Sequence, residues 1–115
     1  HGTYPDVMVI DGKPEFNADR TDEILNPLLI IEVLSPSTEA YDRGEKFRKY
    51  RSIGSFCEYL LVSQTEPYIE QYHNLDRQSS DRWQWQVYDR LEQSIVLHSL
   101  NIELPMSEIY RRLNF

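Results

Sequence analysis

Apolar runs separated by polar, turn-forming segments predict six β-strands along the chain. Residues 4–10 and 28–34 each contain a nearly unbroken apolar run, which is typical of strands covered on both faces. Residues 83–88 alternate with a period of two, as a half-buried antiparallel strand does. The remaining predicted strands comprise residues 58–63, 68–74 and 94–100.

Two segments have helical patterns. Phe47, Tyr50 and Ile53 recur at helical spacing and predict a helix over residues 41–53, with Gly54 suited to the left-handed position after its end. Residues 105–113 predict a short terminal helix, and residues 11–27, rich in turn-forming residue types, predict a long mobile loop. The order β-β-α-β-β-β-β-α predicts an α/β or α+β domain with a mixed central sheet flanked by helices.

Composition excludes several classes of protein. The length suits a single domain over residues 1–115, and the only cysteine, Cys57, excludes an internal disulfide or a cysteine-rich zinc site. The four glycines lack the spacing of a phosphate-binding or dinucleotide-binding loop, which excludes Walker-type ATPases and Rossmann enzymes. The longest strongly apolar run, residues 28–31, is far shorter than the roughly 18 residues of a membrane helix, so no membrane partner is expected.

The start of the chain suggests that a preceding segment exists. The chain opens at His1 without a methionine and is within a strand-like run by Tyr4. We therefore expect these residues to form the C-terminal two-thirds of a longer chain. Because the chain has neither a disulfide framework nor a recognisable signal peptide, the expected location is the cytoplasm.

A carboxylate within the most apolar strand is the most informative single feature. Glu32 interrupts residues 28–34, and a buried charge is costly unless a cation or hydrogen bonds compensate it. One interpretation turns Glu32 towards solvent at the end of the sheet. The other pairs it with Asp6 on a neighbouring strand about 4.8 Å away, so that both carboxylates bind one divalent cation.

Basic charge is concentrated on the predicted helix. Residues 43–51 carry a net charge of +4, whereas the rest of the chain carries −11 and the whole chain −7. Such a run is commonly a solvated helix face, but next to a metal site it would suit a nucleic-acid backbone. Helical spacing places four residues on one side, close to the apolar stripe: Asp42, Lys46, Lys49 and Tyr50. Lys46 would then lie at the border between the core and a cleft.

These residues together resemble a known family. Similarity to the Uma2 family of restriction-endonuclease-like proteins, within the PD-(D/E)XK nuclease superfamily, extends over nearly the whole chain. It is carried by Pro5, Asp6, residues 32–38, Asp42, Lys46, Tyr50, Gly54 and residues 58–62. The superfamily pattern has a lysine two residues after the acidic residue, but this chain has Leu34 there. The resemblance implies that Lys46, on the following helix, takes the place of that lysine.

The resemblance also implies a restriction-endonuclease-like fold and a chemistry. Asp6, Glu32 and the carbonyl of Val33 would bind Mg²⁺ or Mn²⁺, and Lys46 would orient the attacking water and offset transition-state charge. Arg43 and Lys49 would contact the nucleic acid, with Asp42 and Tyr50 in supporting positions.

Two functions follow from this interpretation. The first is a metal-dependent endonuclease that hydrolyses phosphodiester bonds in DNA. The alternative is a catalytically inactive module that retains the nuclease fold for assembly. A homodimer is expected in either case, because an open sheet edge and the aromatic strand containing Trp83 and Trp85 offer a self-associating surface. Both indoles are expected to pack in the core or in a dimer interface.

Overall fold

A five-stranded mixed sheet is the centre of the fold. The computed structural model describes residues 7–10, 12, 16–17, 20–24, 26–35, 42–74 and 82–111. The sheet contains five strands, in the spatial order β1-β4-β5-β6-β7: β1 (Val7–Ile10), β4 (Pro27–Leu34), β5 (Glu58–Ser63), β6 (Ile69–Asn74) and β7 (Trp83–Tyr88). Strands β4 and β5 are parallel, whereas the other neighbouring pairs are antiparallel. The predicted α+β class and mixed sheet are therefore confirmed.

A helical segment lies in the connection between the two parallel strands. It comprises a π-helical turn (Asp42–Lys46) followed directly by helix α1 (Phe47–Arg51). Parallel neighbours require such a crossover, because a short hairpin can join only antiparallel strands. The observed segment is shorter than the predicted residues 41–53, since residues 52–55 form turns after the helix.

Two small additions complete the described structure. Strands β8 (Ser94–Leu97) and β9 (Ile102–Pro105) form a hairpin, and helix α2 (Met106–Arg111) follows it. Strands β2 (Phe16–Asn17) and β3 (Arg20–Ile24) form a second hairpin.

Both hairpins correct the sequence prediction. The loop predicted for residues 11–27 contains β2 and β3, which pair through the backbone and have no apolar alternation that would reveal them. The predicted strand 94–100 ends at Leu97, because the chain turns through Asn101, whose φ of 54° suits an asparagine in the left-handed region. Strand β9 then returns along β8, which the sequence analysis missed.

The sheet has an apolar layer on each face. Alternate residues of the strands face opposite sides, so Leu29 and Leu60 join one layer while Ile30 and Leu61 join the other. The first layer packs against β8 and α2 through Ile95, Leu97, Met106 and Tyr110. The second packs against α1 through Phe47, Tyr50 and Phe56. We call this second side the helix face, and the candidate chemistry lies there.

Candidate active site on the helix face of the sheet

Glu32 lies on the helix face and is buried. It follows Ile30 by two residues on β4, so its side chain shares the face of Ile30 and Leu34, and the residue is only 2% exposed. The interpretation that turns Glu32 towards solvent is therefore wrong. An ionised carboxylate at this depth requires compensating charge or hydrogen bonds.

Lys46 supplies that compensation. Its ammonium nitrogen lies 2.9 Å from Oε2 of Glu32, and its side chain is 12% exposed. Lys46 is the last residue of the π-helical turn, just before Phe47 anchors α1 in the core. The structure thus brings together two of the predicted catalytic residues, with the lysine coming from the crossover helix and not from the strand.

A second ion pair, with a buried carboxylate and a partly exposed cation, lies beside the first. Arg43, at the start of the π-helical turn, forms a salt bridge with Glu70 of β6, whose side chain is buried. The indole N–H of Trp85 donates a hydrogen bond to Oε1 of Glu70, at 3.1 Å. Because Glu32 and Glu70 both pair with Leu61 in the sheet, the two carboxylates lie on one row of the helix face, separated by one strand.

Both cations that contact the sheet belong to the π-helical turn. A π-helix has a wider turn than an α-helix, and such turns occur frequently at functional sites. Within it, Arg43 and Lys46 both contact carboxylates of the sheet, whereas Lys49 on α1 is exposed. Lys46 and Lys49 thus differ in exposure, and their predicted grouping on one side of the helix stays a prediction.

Aromatic packing fixes the helix on the sheet. The ring of Phe47 stacks on Tyr59, with centroids 5.2 Å apart and planes 6° apart, and meets Trp83 edge-on at 5.1 Å. Tyr50 packs against Phe56 and Tyr59 in the same cluster. The supporting position predicted for Tyr50 thus corresponds to a buried ring that helps to hold the helix carrying Lys46.

The remaining predicted residues of the metal site and its support are Asp6, Asp42 and Val33. Asp6 lies outside the described residues, and Asp42 is the first residue of the π-helical turn. Val33 follows Glu32 on β4, and only its backbone carbonyl was assigned a role. Within residues 7–10, 12, 16–17, 20–24, 26–35, 42–74 and 82–111, no three histidine, cysteine, aspartate or glutamate residues form a group that could hold a metal ion.

A third buried carboxylate, Glu58, lies on the opposite face of the sheet. It accepts hydrogen bonds from Nε2 of Gln71, from the backbone N–H groups of His98 and Ser99, and from the hydroxyl of Ser99, at 2.6–3.0 Å. The imidazole of His73 stacks on that of His98, with ring centroids 4.0 Å apart. These contacts hold the turn after β8 on the sheet.

Sequence analysis missed the contributions of Glu58, Glu70 and Trp85. The sequence signal that indicated Glu32, a carboxylate beside apolar strand residues, is also present at Glu58, next to Tyr59, and at Glu70, next to Ile69. Trp83 packs in the aromatic cluster as expected. Trp85 is 56% exposed, so core packing is wrong for Trp85, while the alternative of dimer packing stays a prediction.

Comparison with known proteins identifies the family. The model of the Uma2 family, described as "Putative restriction endonuclease", matches residues 1–107. The chain belongs to the Uma2 family. The resemblance found in its residues is therefore confirmed.

Two relatives of this Uma2 chain come from Synechocystis sp. (strain ATCC 27184 / PCC 6803 / Kazusa). Uncharacterized protein slr1290 is 42% identical over 113 residues, which are 98% of this chain and 56% of the relative. Uncharacterized protein sll1609 is 45% identical over 76 residues, which are 65% of this chain and 43% of the relative. The chain thus spans about half the length of these relatives.

A solved structure shares the fold of this Uma2 chain. It is described as the crystal structure of a putative nuclease belonging to DUF820 from Anabaena variabilis ATCC 29413. The TM-score is 0.69 at 18% sequence identity, with 97% of this chain and 62% of the other covered. The likeness confirms the nuclease-type fold. Among the described residues, no helix is long and apolar enough to cross a membrane.

Proposed function

We propose that this Uma2 chain hydrolyses phosphodiester bonds in DNA with the help of a divalent metal ion. The observation that supports this function best is the 2.9 Å contact between the Lys46 ammonium and the buried Glu32 carboxylate. PD-(D/E)XK chemistry needs an acidic residue and a lysine side by side, and here a strand and a crossover helix supply them. Family membership supports the same activity.

We propose Asp6 as the second acidic ligand. The register of the described strands supports this choice, because Val7 of β1 pairs with Ile31 of β4 in an antiparallel ladder. In the sequence Asp6 immediately precedes Val7 and Glu32 immediately follows Ile31, so the same register continued by one residue would pair Asp6 with Glu32. In antiparallel pairs, directly opposite residues have Cβ atoms about 4.5–5.5 Å apart. Two carboxylates at that spacing can share one cation.

The donor atoms suit Mg²⁺ or Mn²⁺. Carboxylate oxygens from Asp6 and Glu32 and the backbone carbonyl of Val33 are hard oxygen ligands of the kind these cations prefer. A bound ion would polarise the phosphate and lower the pKa of a water molecule. Glu32 is already held in place by its hydrogen bond to Lys46.

Lys46 has a separate role in this proposal. Its ammonium carries three N–H donors, so a bond to Glu32 is compatible with a further bond to water or to a phosphate oxygen. A fixed cation beside the scissile phosphate would stabilise the negative charge that develops in the transition state. The aromatic packing of Phe47 keeps the ammonium in position during the reaction.

The basic helix is proposed to contact the DNA backbone. Lys49 is exposed on α1, and the side chain of Arg43 is partly exposed beside Glu70. The net charge of +4 over residues 43–51 concentrates the attraction for phosphates near Lys46, while the rest of the chain is acidic. Salt should therefore weaken DNA binding steeply.

We further propose that the protein forms a homodimer and is located in the cytoplasm. Light scattering tests the homodimer, and localisation in cells tests the location.

The test is a plasmid-nicking assay with Mg²⁺ or Mn²⁺. Glu32→Gln should abolish nicking, because it removes the charge that the cation needs while preserving shape. Lys46→Met should reduce nicking by about 10²- to 10³-fold, the scale lost with one electrostatic contact to the transition state. Arg48→Met, which removes an exposed cation from the same helix, should retain most of the activity.

Calorimetric titration with Mn²⁺ separates the two roles. Glu32→Gln should weaken metal binding, whereas Lys46→Met should retain it, because the ammonium competes with a cation for the same carboxylate. Failure of the wild-type chain to nick several DNA substrates, together with no metal binding at millimolar concentrations, would contradict the proposal. That result would favour the inactive assembly module.

A further inference from the structure

Trp85 is an exposed aromatic ring on the same face as the candidate active site. The residue is 56% exposed, whereas Trp83, two positions earlier on the same strand, packs against Phe47 and Phe56. Strand β7 is at the edge of the described five-stranded sheet, so the indole lies beyond the part of the helix face that α1 covers. The ring of Trp85 is therefore accessible from solvent.

The indole is held in a fixed orientation. Its N–H donates to Oε1 of Glu70 at 3.1 Å, and Glu70 forms the salt bridge with Arg43. Arg43 belongs to the π-helical turn that also carries Lys46. The ring is therefore connected through two polar contacts to the segment that positions the lysine. Because the N–H is bound to Glu70, contacts with a partner would use the ring face.

The spacing between this ring and the active site fits a nucleic-acid strand. Glu32, Leu61, Glu70 and Val87 are paired across β4 to β7, and Trp85 is two residues from Val87 on the same face. Three strand spacings of about 4.8 Å and an offset of about 6.8 Å along β7 place the backbone of Trp85 roughly 16 Å from that of Glu32. At about 3.4 Å per stacked nucleotide, this distance corresponds to roughly five nucleotides.

We propose that Trp85 is a stacking platform for an unpaired base of single-stranded DNA whose backbone reaches the Glu32–Lys46 pair. This proposal rests on the proposed function and adds the substrate class. A π-face stacks on any base, so the platform holds the strand without reading its sequence. The adjoining helical segment, residues 43–51, carries a net charge of +4 and exposes Lys49, which matches the charge of the phosphates. That charge complementarity favours DNA over a second copy of this acidic chain.

The chain has two tryptophans, which permits a direct test. In the Glu32→Gln background, which prevents cleavage, Trp83→Phe leaves Trp85 as the only indole, and Trp85→Phe leaves Trp83. Each variant is titrated with a 12-nucleotide oligothymidylate and with an abasic strand of the same length. Stacking predicts that the oligothymidylate quenches Trp85 fluorescence, that the abasic strand does not, and that neither strand quenches Trp83.

Affinity gives a second readout. In the same background, Trp85→Ala should weaken binding of the oligothymidylate by about 5- to 100-fold. The same substitution should leave binding of the abasic strand unchanged, because that strand keeps only the phosphate contacts. Leu91→Ala, which truncates another exposed apolar residue, is the matched control and should change neither affinity.

The platform would be overturned by no oligothymidylate binding, by equal binding and quenching with the abasic strand, or by tighter binding of the matching duplex. A Trp85 signal that depends on protein concentration without DNA would also overturn it and indicate self-association. Nicking by the wild-type chain is measured separately. Nicking combined with unchanged binding by Trp85→Ala would overturn only the platform, whereas base-dependent quenching without nicking would support the platform and contradict the nuclease.

Discussion

The ammonium of Lys46 and the carboxylate of Glu32 form a buried ion pair with a separation of 2.9 Å. The pair joins the crossover helix to the centre of the sheet, where water is largely excluded. Removing two charges from water costs several kcal/mol per ion in real proteins, and their attraction offsets this cost only in good geometry. Replacing either residue by a neutral one therefore does more than delete the contact, because it leaves the charge of the other buried without compensation.

Lys46→Met should destabilise the fold. The substitution keeps most of the aliphatic stem but leaves the Glu32 charge buried without the ammonium. Breaking a buried pair in this way typically costs about 3–5 kcal/mol. The free energy of unfolding, measured by urea denaturation at pH 7.5, should fall by an amount of that order.

Two variants serve as controls for this effect. Arg48→Met removes a cation of α1 whose partner is Glu45 of the π-helical turn, with side chains 72% and 57% exposed, and should cost no more than about 1 kcal/mol. Adding Glu32→Gln to Lys46→Met removes the uncompensated charge and should restore much of the lost stability. Equal destabilisation by Lys46→Met and Arg48→Met would show that the Glu32–Lys46 pair is not buried as described.

Much of the fold was predictable because long apolar runs report burial directly. Residues 28–34 and 58–63 are dense in Leu, Ile and Val, and both form strands of the central sheet close to the predicted bounds. The β2–β3 hairpin was not predictable in this way, since its strands are short and contain no apolar run. Likewise β9 is short and mostly exposed, and so lacks the apolar pattern of a core strand.

The site was predictable in part. A carboxylate within an apolar strand indicated Glu32, and resemblance to a family indicated Lys46; their contact follows from a helix packed over the sheet. Residue spacing could not show that the segment begins with a π-helical turn, so the partner of Arg43 was missed. Partners such as Glu70 depend on strand order, which composition and periodicity do not contain.

Glu58→Gln should loosen the turn after β8. Both oxygens of Glu58 accept hydrogen bonds, and an amide would present an N–H₂ group to donors on one side. A buried donor left without an acceptor costs about 1–3 kcal/mol. Amide hydrogen exchange should accelerate at His98 and Ser99, whose N–H groups bond to this carboxylate. Unchanged protection at both amides would contradict the role assigned to Glu58.

Tyr110→Phe should weaken the docking of α2. The Tyr110 hydroxyl accepts a hydrogen bond from the Tyr68 backbone N–H at 3.1 Å and lies 3.0 Å and 2.9 Å from the carbonyls of Ser63 and Tyr68. Deleting this oxygen removes all three contacts, at a cost of about 1–3 kcal/mol. Urea denaturation should detect the loss. A variant as stable as the wild type would show that the ring alone holds the helix.

Acid should destabilise the chain through His73. Burial lowers the pKa of this imidazole below its ordinary value of 6.5, and the stacked His98 lowers it further, while Glu58 opposes both effects. The unfolded chain therefore binds a proton before the folded chain does, so the free energy of unfolding should decrease as the pH falls below about 6.5. The decrease should level off once the pH is below the pKa of the folded state.

Replacing the imidazole isolates this contribution. His73→Gln keeps a polar side chain of similar length but cannot be protonated in this range, so its stability should change less between pH 7.5 and pH 5.5 than that of the wild type. Urea denaturation at several pH values gives both slopes. His73 of β6 pairs with Glu58 of β5 and stacks on His98 of the turn after β8. Its neighbour on the other side, Gln84 of β7, is neutral. If both proteins lose stability equally over this range, proton uptake at His73 is not coupled to unfolding, and another group must account for the acid sensitivity.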